Sequence, residues 1–315
     1  MILTIVVVTY NSRRSIIPCL SALLSDPVAS AGEVIVVDNS SQDDTVETVR
    51  DRFPTVTVHQ EPSNCGFARA CNRGASNAGG DFVLFLNPDT VIQDAAVSNL
   101  VAYAQSHAEG GIYGGRTIRP TGAVGLESCW GTPTLWSAFC FATGFSTAFP
   151  RSRFDPESLG RWDRDTPADV GVVTGLMLLI RRSLWTALGG FDDQFFMYSE
   201  DVDLCLRATA LGYRPCITPT AVVIHEGGAS SASPSDKIVL VLAGRATLMR
   251  KHWSPARYRI GVHFLIAGVA LRAIAQPRVW RPAWQCRAMW SAGYSRTGDV
   301  GALGPAGCTC GALDG

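Results

Sequence analysis

The sequence predicts an α/β fold, a parallel sheet flanked by helices, followed by a basic helical segment toward the C-terminal end. Three observations carry this prediction. Apolar runs of strand length alternate with stretches of helix length through the first third of the chain. Those runs are continuous rather than alternating, the pattern of strands covered on both faces. From Lys237 to Gly298 there is no Asp or Glu while Lys and Arg number 11, leaving 16 basic against 27 acidic residues elsewhere in the 315-residue chain.

Leu3–Thr9 (LTIVVVT) reads as a buried strand, followed by the turn Tyr10-Asn11-Ser12 and a helix over 13–24. Glu33–Val37 is the second strand and runs into Asp38-Asn39-Ser40. A helix over 43–53, a short strand over 55–59 and a helix over 67–78 precede Phe82–Leu86, whose five apolar residues end at Asn87-Pro88-Asp89. Pro88 cannot donate to a ladder, so the strand stops there and holds Asp89 at its carboxyl end, where open α/β sheets bind ligands. A charge delivered there is costly unless something uses it; a metal ion or the cap of a following helix would.

The middle, 110–170, is rich in Gly, Pro, Trp and Phe, including Trp130, which predicts loops and short strands over a concave face. Regularity returns with a strand over 172–180 and a helix over 182–188. A helix opened by Glu200-Asp201 and closed by Gly212 follows, then a late strand over 222–225. Residues 237–252 and 258–275 read as helices, the second edged by Arg257, Arg259 and Arg272, and beyond them Trp280, Trp284 and Trp290 alternate with arginines.

A composition of 47% hydrophobic and 17% charged residues excludes a disordered chain. Ten cysteines at no zinc-ligand spacing, Cys308 and Cys310 among them, predict reduced thiols rather than a disulfide framework. Met1 runs straight into a strand, which predicts no secretory leader. No window reaches the ~18 uncharged apolar residues of a membrane span; the nearest, 260–271, contains His263. There is no G-x-G-x-x-G, no Walker motif and no G-x-S-x-G elbow. A nucleotide would therefore be held by carboxylates and a metal rather than by a glycine cradle.

Besides Asp89, three stations carry candidate chemistry. Asp38 suits either a base or ribose contact or a strand-end Asx turn. Glu200 and Asp201 suit either a first turn favoured by the helix dipole, capped by Ser199, or a base whose pKa is raised by Phe195, Phe196, Met197 and Tyr198. His225 suits either a metal ligand or a hydrogen-bonded loop residue, and the Gly-Gly-Ala-Ser after Glu226 could wrap a diphosphate.

The segments VVTYNS (7–12), VVDNSSQDDT (36–45), NCGFARACNRGA (64–75), FLNPDT (85–90), GLMLLIRRSLWTALGGFDDQFFMYSEDVDLCLRATALGYR (175–214) and IHEGGASS (224–231) occur in this order. In them the chain resembles family 2 glycosyltransferases of the GT-A fold, and among these the bacterial rhamnosyltransferases acting on lipid-linked polysaccharide precursors. The resemblance implies a Rossmann-like, mixed but mainly parallel sheet. It implies that Thr9, Tyr10, Asn11, Asp38 and Asn39 line the nucleotide pocket, and that Asn64, Phe67, Ala68, Arg69 and Asn72 lie along nucleotide and sugar. Asn87 and Asp89 stand in the family's D-x-D element, with an amide for its first acid, so His225 matters more as a second ligand to Mg²⁺ or Mn²⁺. Asp201 is the implied catalytic base of an inverting transfer and Glu200 its acceptor-orienting neighbour. Arg245 and Trp130 are candidates for the diphosphate and the acceptor.

The implied partners are a nucleotide-sugar donor, dTDP-rhamnose foremost, and a polyprenyl-diphosphate-linked saccharide acceptor. Another donor, or a catalytically silent sugar-binding relative, stays open, as does a homodimer; nucleic acid is not expected. The expected organisation is 1–110 for the nucleotide sugar, 111–236 for acceptor and catalysis, 237–298 as a basic segment on an anionic membrane surface, and 299–315 as a flexible tail. The expected location is cytoplasmic, peripheral at the inner face of the cell membrane.

Overall fold

The computed structural model describes residues 3–225 and 233–295; the expected tail, Cys308, Cys310 and the Gly-Gly-Ala-Ser after Glu226 lie outside them. In chain order the first elements are β1 (Leu3–Thr9), α1 (Arg13–Ser25), α2 (Pro27–Ser30), β2 (Glu33–Asp38), α3 (Thr45–Arg52), β3 (Thr57–Gln60), α4 (Phe67–Ala75) and β4 (Phe82–Leu86). Then come β5 (Thr90–Ile92), α5 (Ala96–Ser106), β6 (Ile112–Ile118), β7 (Val124–Gly125), β8 (Cys129–Trp130), α6 (Leu135–Thr143), α7 (Phe145–Ala148), β9 (Ala168–Asp169), β10 (Val172–Val173) and β11 (Met177–Arg181). The last are α8 (Arg182–Leu188), α9 (Glu200–Ala210), β12 (Cys216–His225), α10 (Pro234–His252), α11 (Pro255–Ala275), α12 (Pro277–Gln285) and α13 (Arg287–Ala292).

The described residues form two units, one from 3–130, 162–192 and 201–225, the other from 131–161, 193–200 and 233–295. The first is built on one sheet in the order β3-β2-β1-β4-β11-β6-β12-β5, with β7 on β6 and β9 on β12. Every residue of β1 and β4 is buried, as their unbroken apolar runs require. β1 pairs in parallel with β2 and β4, and β6 with β12, whereas β11 runs antiparallel between β4 and β6. A mixed, mainly parallel sheet is thus present. Burying each Val, Leu or Ile of its core is worth roughly 1.5–3 kcal/mol.

Three expectations need correction. The strand expected over 172–180 is broken into β10 and β11. Thr174 leaves the ladder because its N–H and hydroxyl bond to the carbonyls of Ser128 and Glu127 (3.1 and 2.8 Å). The late strand begins at Cys216, six residues earlier than expected, and shifts register between Ile217 and Val222. The aromatic middle holds helices as well as loops: Thr134 and Ser137 form a reciprocal capping box at the start of α6, and Gly144, at φ 78°, ends it.

In the second unit α11 packs on α6, with Gly268 against Phe141 because no Cβ fits there. Ser254 caps α11 and Pro255 takes its first position, extending the helix to 21 residues. By length and composition alone it is apolar enough to cross a membrane, although Arg257, Arg259 and Arg272 leave it no uncharged window of that length. Arg272 is not a solvated edge: its guanidinium lies 3.9 Å from the Phe141 ring centroid and donates to the Phe141 carbonyl at 2.7 Å. None of the eight described cysteines is in a disulfide, and seven are buried.

Candidate active site

β2, β4, β6 and β12 end at one edge of the sheet, and β11, running the opposite way, begins there. Asp38 sits fully buried at the end of β2. Its Oδ1 accepts from the hydroxyls of Thr9 (2.9 Å) and Ser41 (2.5 Å), and its Oδ2 from the Ser41 N–H (3.0 Å). The strand-end turn is therefore formed, and it fixes the carboxylate. About four lone-pair sites on a carboxylate leave capacity for a ligand donor.

Neighbouring polar residues brace this corner. Asn11, in the left-handed region at φ 51°, accepts from the Gln42 N–H at 2.7 Å and donates its own N–H to Ser41 Oγ at 2.8 Å. Asn39 donates to the Gly66 carbonyl (3.1 Å) and accepts from the Cys65 N–H (2.9 Å). Asn64 accepts from the Gly66 N–H at 3.0 Å, and Gly66 enters α4 at φ 87°, which favours glycine. Asn72 clasps Phe191 through its N–H and carbonyl (3.0 and 2.9 Å). Ala68 is buried, while Tyr10 and Arg69 are half-buried. Phe67 lies against Gly175, its ring 3.1 Å from where a Cβ would stand.

Asn87 turns the chain out of β4, its N–H on the Leu176 carbonyl (3.0 Å) and its own carbonyl accepting from the Thr90 hydroxyl (2.6 Å). Asp89 follows, 5% exposed. Its Oδ2 stands 3.2 Å from His225 Nε2, because β5 carries Thr90 into register with His225. Its buried Oδ1 has no hydrogen-bond partner among the described residues. An orphaned carboxylate oxygen beside an imidazole fits a divalent cation. No group of three His, Cys, Asp or Glu that could hold a metal converges among the described residues.

Asp201 lies in the first turn of α9 but spends its carboxylate on two backbone donors, Val202 (2.8 Å) and Gly175 (3.1 Å). Burial pushes its pKa above the ordinary value, and the two N–H bonds oppose that rise without cancelling it. The helix is held in place by the ion pair of buried Asp203 with half-buried Arg207 (2.7 Å), with Arg207 also donating to the Leu188 and Gly190 carbonyls. Glu200 is 5% exposed. Trp130 is half-buried in β8, which pairs with β10. Arg245 is engaged in an ion pair with Glu157.

Sequence reasoning missed the devices that shape the acidic turn. Tyr198 and Ser199 are both left-handed (φ 66° and 72°), a strained entry to Glu200. The fully buried Tyr294, from the basic C-terminal segment, donates its hydroxyl to the Met197 carbonyl at 2.6 Å and lies 3.2 Å from the Leu240 carbonyl. A lone tyrosine beyond the last helix carries no sequence signal for this role.

The family model "Glycosyl transferase family 2" matches residues 4–157 and "Glycosyl transferase family group 2" matches 142–291. The chain is 28% identical over 246 residues to N-acetylglucosaminyl-diphospho-decaprenol L-rhamnosyltransferase of Mycobacterium tuberculosis, covering 71% of this chain and 76% of that one. It is 29% identical over 147 residues to rhamnosyltransferase WbbL of Escherichia coli, covering 46% and 52%. Among solved structures, the Pyrobaculum calidifontis mannosyltransferase PcManGT, in complex with GDP-Man and Mn²⁺, superposes with a TM-score of 0.55 at 18% identity, covering 92% and 83% of the two chains. Staphylococcus aureus TarS 1–349 does so at 0.52 and 18%, covering 92% and 80%. These likenesses agree with the mixed sheet described above, which is a GT-A fold. The chain belongs to the family 2 glycosyltransferases.

Proposed function

We propose that this glycosyltransferase moves L-rhamnose from dTDP-rhamnose to a hydroxyl of a lipid-linked saccharide, with inversion, in the assembly of a cell-envelope polysaccharide. The observation that carries the site is the sheet edge itself, where Asp38, the Asp89–His225 pair and Asp201 stand together. Names of relatives support the choice of sugar and lipid: two are rhamnosyltransferases, one acting on a decaprenol-linked substrate.

Asp38, held by Thr9 and Ser41, accepts from the nucleoside. Asn64, Phe67 and Arg69 line the donor, with Arg69 near the diphosphate. Asp89 and His225 would hold Mn²⁺ or Mg²⁺, which would supply positive charge to the leaving diphosphate. Asp201 removes the proton of the acceptor hydroxyl as its oxygen attacks the anomeric carbon from the face opposite the diphosphate. Its raised pKa makes it a stronger base than an ordinary aspartate, and general base catalysis is worth roughly 10²–10⁴ in rate. Glu200 orients the acceptor.

The second unit supports the lipid half of this reading. Ala256, Ile260, His263, Ala267, Leu271 and Ile274 form one exposed stripe along α11, apolar but for the histidine, in a segment without acids. Such a helix suits an anionic bilayer surface, with ~1 kcal/mol per basic residue near the headgroups. The test is release of nucleoside diphosphate from a panel of nucleotide sugars, with Mn²⁺ and a short prenyl-diphosphate-linked N-acetylglucosamine. Release from dTDP-rhamnose that depends on this acceptor is expected; turnover of a different donor alone would reassign the sugar.

A further inference from the structure

Near the carboxyl end of β6, two side chains on one face of the strand carry buried polar atoms with no hydrogen-bond partner among the described residues: Thr117 Oγ1 and Glu127 Oε2. Thr117 is fully buried. It faces Gly125 across the β6–β7 pairing, and a Cβ built on Gly125 would stand 2.4 Å from Glu127 Oε2 and 2.9 Å from Thr117 Cγ2. The two side chains are therefore neighbours. The other Glu127 oxygen lies 3.5 Å from the Arg119 guanidinium. An unpaired buried polar atom is costly, and a matching ligand would relieve that cost.

Topology fixes where this cluster stands in the reaction. Across the sheet, β2, β1, β4, β11 and β6 follow one another. The same edge thus presents Asp38, then Asn87–Asp89, then the Gly175–Asp201 bond, then Thr117 with Glu127. The base stands between the nucleotide side and the cluster. The coupling is short: the Glu127 carbonyl accepts from the Thr174 hydroxyl at 2.8 Å, and the next N–H, of Gly175, holds Asp201 at 3.1 Å. An acceptor must reach the base from the side that the donor leaves free.

The chemistry narrows the ligand. A carboxylate oxygen that accepts, a hydroxyl that does both and a guanidinium that donates complement the hydroxyls of an uncharged sugar. Arg119 beside Glu127 disfavours a cation. We propose that Thr117 and Glu127, with Arg119 beside them, form a subsite for the hydroxyls of the acceptor saccharide, with Glu127 setting its specificity. The subsite deepens the transfer reaction proposed above and rests on it.

Glu127→Gln and Thr117→Val in the full chain test it. The probe is short prenyl-diphosphate-linked N-acetylglucosamine, varied at saturating donor, with donor KM measured in parallel. Acceptor KM is expected to rise tenfold or more in Glu127→Gln and less in Thr117→Val, with donor KM within twofold and the thermal midpoint held. Donor KM rising in step, or acceptor KM unchanged in both variants, overturns the subsite. Should the wild type turn over no nucleotide sugar, the transfer reading fails separately. The subsite is then judged by millimolar N-acetylglucosamine in a thermal-shift assay: stabilisation lost in Glu127→Gln supports it, and an equal shift in both proteins overturns it.

Discussion

Tyr294→Phe removes one oxygen and keeps the ring. Its hydroxyl is the donor at 2.6 Å to Met197, two residues before the left-handed Ser199 and four before Asp201. The Leu240 carbonyl, at 3.2 Å, lies within α10 and has the helix as an alternative partner. The main loss is therefore at Met197, and an unsatisfied buried acceptor costs about 1–3 kcal/mol. Holding Tyr198 and Ser199 left-handed costs a similar ~1–3 kcal/mol per residue, so clamp and strain are of one size. Losing the clamp shifts the loop population by a factor of about 5 to 150 toward a relaxed turn. The expected result is a kcat reduced at least fivefold, an unchanged donor KM and a lower thermal midpoint. These are read from initial rates and a melting curve. A normal kcat with a lowered midpoint would show that the clamp stabilises the second unit without acting on the acidic turn, refuting the reasoning.

Burial raises the Asp201 pKa, so the acid limb of kcat/KM should lie above the ordinary aspartate value near 3.8, measured as a pH–rate profile. The sign for stability is opposite to that of a salt-bridged aspartate. Native Asp201 holds its proton more tightly than the unfolded chain does, so its contribution is full below the unfolded pKa and lost as pH rises through the native one. Asp89→Ala should abolish the Mn²⁺-dependent stabilisation by a nucleotide sugar seen in thermal shift, while His225→Ala should weaken it; EDTA on the wild type should reproduce the Asp89→Ala result. Ile260→Ser with Leu271→Ser should cut sedimentation with phosphatidylglycerol vesicles severalfold and leave melting unchanged, since both side chains are exposed.

The sheet was legible because its strands are unbroken apolar runs ended by strong punctuation. Pro88 stops β4, and Asp38 and His225 close β2 and β12, so the edge and its carboxylates could be placed from sequence. The turn at Thr174 and Gly175 was not legible. It lies inside an apolar stretch, and only the carbonyls of residues 127 and 128, distant in sequence, pull it out of the ladder. Asn72 resisted for the same reason: placed along the donor by resemblance, it clasps Phe191, 119 residues away. Arg245 and Arg272 looked like free cations in a basic segment. Glu157 and Phe141, which engage them, come from the aromatic middle, where composition hid two helices.

The most direct test is nucleoside diphosphate release by wild type and Asp201→Asn, each with dTDP-rhamnose, Mn²⁺ and the prenyl-linked acceptor. Asparagine keeps the side-chain shape but cannot take a proton. It should reduce acceptor-dependent release by roughly 10²- to 10⁴-fold while donor binding persists. Release within threefold of wild type would contradict Asp201 as the base, and with it the chemistry assigned to this edge of the sheet.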